Sequence, residues 1–86
     1  MESYEVTFAR SARKELVRLD EPFRSRILKR IEGLACTPRP AGCLKLEGAE
    51  DLWRIRIGEY RVIYSIDDST RRVDISAIRH RSDVYR

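Results

Sequence analysis

Arg54, Arg56 and Arg61 crowd one short stretch of this chain, and its end adds Arg79, His80, Arg81 and Tyr85. These are side chains for handling an anion. A guanidinium grips phosphate through a planar fork, whereas an ammonium acts as a point charge. Fifteen of the 18 basic residues here are arginine, in a chain of formal charge +4 and pI near 9.4. A polyanion such as nucleic acid, or an acidic protein, is the partner this balance predicts. Binding needs only the charge; cleavage needs more. Breaking RNA through its own 2′-hydroxyl requires removal of that proton, stabilisation of a phosphorane, and protonation of the 5′ leaving oxygen. Arginine suits the middle task and, with a pKa above ~12, is a poor proton carrier. His80 and Tyr85 are the candidates for proton transfer, Tyr85 only if neighbouring guanidinium groups lower its pKa.

The elements that must hold these residues start with Leu52 to Ile66, LWRIRIGEYRVIYSI, which reads as two alternating strands around a Gly58-Glu59 turn. That turn sets Ile57 opposite Tyr60, Arg56 opposite Arg61, Ile55 opposite Val62, Arg54 opposite Ile63 and Trp53 opposite Tyr64. Directly opposed residues share a face. One face is then Trp53, Ile55, Ile57, Tyr60, Val62, Tyr64 and Ile66, read as packing, and the other carries Arg54, Arg56 and Arg61. Opposed like charges cost a few tenths to about 1 kcal/mol, so a chain that keeps them is expected to meet an anion there. The bland alternative pairs these arginines with Glu47, Glu50, Glu59 or Asp74 on a solvated strand face.

Around the hairpin, Tyr4, Val6 and Phe8 alternate as a first strand. Ala9, Ala12, Leu16 and Leu19 recur at helical spacing, as do Phe23, Ile27, Ile31 and Leu34. Asp20-Glu21-Pro22 separates the two helices, with Asp20 expected as N-cap and Pro22 in the first turn. Pro38 and Pro40 make the main loop, and Leu44-Lys45-Leu46 is a short extended piece. A last strand puts Val73, Ile75 and Ala77 on one side and Asp74, Ser76 and Ile78 on the other. The expected fold is α+β, in the order β-α-α-β-β-β: a helical hairpin packed on one face of a mostly antiparallel sheet, with the arginine face left open.

Eighty-six residues suit one small domain, 1–86, with a single core. No signal-peptide pattern opens the chain and no apolar run approaches the ~20 residues of a membrane span, so a cytoplasmic protein without membrane attachment is expected. Cys36 and Cys43 lack CxxC spacing and are read as reduced thiols. With a single histidine in the chain, no zinc site is expected. No phosphate loop, Ser-His-Asp set or metal motif is present, which sets those hydrolase classes aside.

The opening YEVTF, the helix SARKELVRL, KLEG, LWRIRIGEYRVIY and the terminal HRSDVYR together resemble the RelE/ParE superfamily of type II toxins, its RelE branch in particular. The resemblance spans nearly the whole chain. It implies a ribosome-dependent endoribonuclease that cleaves A-site mRNA without metal or other cofactor and is held inactive by an acidic, RelB-like antitoxin. Operator DNA would be bound only through the antitoxin complex. By position, the family's basic pair falls on Arg54 and Arg56, where well-understood members carry lysine. Its post-turn arginine falls on Arg61, its last-strand arginine on Arg79 or Arg81, and its terminal tyrosine on Tyr85; His80 could compensate for the missing lysines. The superfamily also implies two alternatives: a ParE-like toxin that inhibits gyrase without nuclease activity, and a degenerate member that only binds antitoxin or nucleic acid.

Overall fold

The structure, a computed structural model, describes residues 3–48 and 51–81. Strand β1 (Glu5–Phe8) leads into helices α1 (Arg10–Arg18) and α2 (Phe23–Gly33), followed by β2 (Leu44–Lys45), β3 (Leu52–Ile57), β4 (Tyr60–Asp67) and β5 (Arg72–His80). The five strands form one sheet in the order β1-β5-β4-β3-β2. β1 pairs with β5 in parallel, and the other neighbours are antiparallel. The α+β architecture expected from the alternation is the one observed, with β2 added as a short edge strand on β3.

Both helices bury their stripes against the same side of the sheet, α1 over β5 and α2 over β3. Ala12, Ile27, Ile31 and Leu34 meet Ile55, Val62, Tyr64, Val73 and Ile75, each of these nine at most 1% exposed. Burying an aliphatic side chain of this size contributes roughly 1.5–3 kcal/mol, so this layer supplies most of the driving force for folding. Phe23, expected in the α2 stripe, is instead partly exposed and leans its ring on Tyr60, with centroids 5.6 Å apart.

Two local expectations change. Pro22, not Asp20, stands at the N-cap of α2 and makes no side-chain cap. Glu21 takes over: its Oε1 accepts the Ser25 backbone N–H at 3.0 Å and the Ser25 hydroxyl at 2.7 Å. This carboxylate lies beside the free N–H groups of the first turn and satisfies one of them. The second change is in β5. The pairing with β4 shifts between Ile63 and Tyr64, so Ile63 faces Ala77 but Tyr64 faces Ile75, and Ser76 is the extra residue of a bulge. From there on every side chain changes sides. Ile78, expected with Asp74 on the outer side, lies in the core at 4% exposure.

Candidate functional site

Gly58 has φ 59°, the conformation that a two-residue hairpin of type II′ reserves for glycine at its first central position. The β3–β4 ladder that follows has the register read from the sequence, with Arg56 opposite Arg61 and Arg54 opposite Ile63. The bulge in β5 then places Arg79 opposite Arg61. Arg56, Arg61 and Arg79 therefore form one row across three adjacent strands, with Arg54 next to it on the side of the sheet away from the helices.

The bulge also decides which neighbour joins that row. Without it, the alternation from Val73 would send Arg79 to the helix side and His80 to the arginines. With it, His80 stands opposite Tyr60 and packs edge-on against that ring, with centroids 5.0 Å apart. The structure thus gathers Arg54, Arg56, Arg61 and Arg79 on one face and leaves His80 on the other. Arg81 lies one step past β5 at the hairpin tip. Its N–H donates to the Glu59 carbonyl at 2.7 Å, and its guanidinium is 3.6 Å from the Glu59 carboxylate. Tyr85 lies outside the described residues.

Electrostatics follow from this crowding. Burial, then the charges of Arg61 and Arg56, hold the Arg54 guanidinium below its ordinary pKa. Among the described residues, no carboxylate pairs with Arg54, Arg56 or Arg61. Of the acids that could have neutralised them, Glu59 turns to Arg81, Asp74 accepts the Thr7 hydroxyl at 2.7 Å, and Glu50 is outside the described residues. Among the described residues, Arg79 alone in the row has a counter-ion, Glu15 of α1. Sequence reasoning did not single out Glu15. Its signal was available: it is the sole acid in α1 and sits beside Ala12 and Leu16 on the apolar stripe. The bulge had one too, since adjacent Ala77 and Ile78 break the period of two.

The family model for the ParE toxin of type II toxin–antitoxin systems (parDE) matches residues 6–85. The chain belongs to the RelE/ParE superfamily of type II toxins. It is similar to Toxin RelE of Mycobacterium tuberculosis (strain ATCC 25618 / H37Rv), 36% identical over 84 residues that cover 96% of this chain and 87% of that one. Among solved structures, RelE in the archaeal RelE–RelB complex from Pyrococcus horikoshii matches with TM-score 0.80 and 32% identity, over 91% of this chain and 94% of that one. Isolated RelE toxin of E. coli matches with TM-score 0.80 and 28% identity, over 95% and 90%. The α+β fold, with two helices on one face of a five-stranded sheet, is the fold of RelE toxins.

Proposed function

We propose that this toxin is a ribosome-dependent endoribonuclease that cuts mRNA in the A site and so stops translation. The observation that carries the reading is the row Arg56–Arg61–Arg79 with Arg54 beside it, on an open face where three of the four lack a carboxylate partner among the described residues. Such a face binds a phosphodiester. As the 2′-oxygen attacks phosphorus and the bond to the 5′-oxygen breaks, charge accumulates on the phosphoryl oxygens, and guanidinium donors there strengthen their hold in the transition state. The products are a 2′,3′-cyclic phosphate and a 5′-hydroxyl. Arg61 and Arg79 take the scissile phosphate, while Arg54 and Arg56 orient the flanking backbone. The placement of Arg79 in the row, with Arg81 held at the tip by Glu59, supports Arg79 as the last-strand arginine. Proton transfers fall to Tyr85 and to ribosomal groups, because His80 faces Tyr60. None of these steps asks for a metal.

Solved RelE relatives are complexes with RelB in Pyrococcus horikoshii and Mycobacterium tuberculosis. We extend that partnership to this chain: an acidic, RelB-like antitoxin would compete with mRNA by charge and shape, and operator DNA would be contacted through the complex. The reading places the toxin in the cytoplasm, and no helix among the described residues is long and apolar enough to cross a membrane.

Primer extension on a translated message tests the proposal. The wild-type protein should give new stops within A-site codons, and Arg61→Ala should abolish them while melting normally. Because the matching family model is that of the ParE toxin, gyrase supercoiling belongs in the same experiment. Inhibited supercoiling with intact message would replace the nuclease reading by gyrase poisoning.

A further inference from the structure

We infer that Glu15 is a positioning residue: it ties the Arg79 guanidinium to the backbone of β5 and so fixes its place in the arginine row. This rests on the nuclease reading for its consequence, but its geometry is independent of it. β1 leaves β5 at the Phe8–Ile75 pair, whereas β5 runs on to His80. Beyond that point no strand among the described residues flanks the outer edge of β5, and Glu15 of α1 reaches it instead. The Ile78 N–H, which β1 would otherwise have to meet, donates to Glu15 Oε1 at 3.0 Å. The other carboxylate oxygen, Oε2, accepts from the Arg79 guanidinium.

One side chain thus caps the sheet edge and holds the next residue's cation. The division of labour needs a carboxylate, because both of its oxygens accept and each meets a donor from consecutive residues. The Glu15 side chain is only 27% exposed, against 45% for Arg79, so the anchor is better shielded than the group it steers. Arg79 spends one terminal nitrogen on Glu15 and keeps its remaining donors for a phosphate. Arg54, Arg56 and Arg61 have no such tether among the described residues. Arg79 therefore enters the row already oriented, and less rotamer freedom is lost when phosphate arrives.

The test compares wild type, Glu15→Gln, Glu15→Ala, Arg79→Ala and the double Glu15→Ala/Arg79→Ala variant, on ribosomes programmed with a defined A-site codon. Glu15→Ala should slow single-turnover cleavage roughly ten- to a hundred-fold, with half-saturating ribosome concentration within about two-fold of wild type. Glu15→Gln keeps an acceptor for Ile78 and should melt like wild type yet still cleave slowly. The double variant should be no slower than Arg79→Ala alone, since Glu15 acts through Arg79. Additive losses would overturn the proposal, as would a Glu15→Ala protein faster than wild type, which would make Glu15 a competitor of phosphate. Slow Arg79→Ala with wild-type rates in both Glu15 variants would overturn it too. Should Arg79→Ala cleave normally, the nuclease role of Arg79 fails and the tether is judged by nitrogen-15 NMR: a distinct Arg79 Nε–Hε resonance lost in Glu15→Ala supports it, and one unchanged in Glu15→Ala overturns it.

Discussion

At Arg54, burial and two neighbouring guanidinium groups act against the charge that the side chain must carry. Arg56 and Arg61 stand directly opposite each other across β3 and β4, like charge against like charge. A folded chain gains nothing from this arrangement until an anion arrives. Arg56→Gln, which keeps a polar side chain and removes the charge, should therefore stabilise the free protein by a few tenths to about 1 kcal/mol. Thermal melts check this. Added inorganic phosphate should raise the wild-type midpoint more than that of the variant, because an anion that binds only the folded state stabilises it by mass action. These three arginines could be placed from sequence because the Gly58-Glu59 turn sets one register, in which Trp53, Ile55, Ile57, Tyr60, Val62, Tyr64 and Ile66 share one face and the arginines take the other. Arg79 and His80 could not be separated in that way, since a single extra residue at Ser76 exchanges their faces.

The elements around the hairpin are fastened at its far end by a network of polar contacts. Arg39, in the loop after α2, gives two hydrogen bonds to the Asp68 carboxylate, at 2.9 and 3.3 Å, and stacks over the Trp53 ring at 5.1 Å. Tyr4 donates to the same carboxylate at 2.6 Å. The buried Tyr64 hydroxyl donates to the Pro38 carbonyl at 2.8 Å, and burial pushes that phenol up, so it remains a donor. The hydrogen bonds from Arg39 and then Tyr4 hold the Asp68 carboxyl below its ordinary value of 3.8. A carboxyl depressed in the folded state adds stability above its unfolded pKa and loses it as pH falls through the folded one. Asp68→Asn should therefore lower the melting temperature at pH 7, with the difference closing below about pH 3.8; melts across pH 2–7 measure it. The strands and helices around these contacts were legible from period and proline placement. The bulge left only the adjacent Ala77 and Ile78 as its trace, and the Glu21 cap was missed because the carboxylate reaches Ser25 from the residue before the Pro22 N-cap.

Across the whole molecule, charge is divided between the layers in a way the net value conceals. Residues 10–33, the two helices and their linker, hold eight basic and four acidic side chains, which accounts for the entire formal charge of +4. The rest of the chain is balanced, so the arginine face is a local concentration of charge and the helices are the source of the long-range field. Neutralising Arg13 and Lys14 on α1 should slow association with ribosomes in a salt-dependent way and leave the single-turnover cleavage rate unchanged. Stopped-flow binding at two ionic strengths reports the first effect. Composition pointed to a polyanionic partner and the alternation to an open sheet face; how the charge is divided between the layers required the fold. The central claim is that Arg61 stabilises the transition state of RNA cleavage, and single-turnover cleavage of an A-site codon by wild type and Arg61→Ala tests it most directly. A loss of about 10²–10³-fold in rate at saturating ribosomes is expected, and cleavage by Arg61→Ala at the wild-type rate would contradict it.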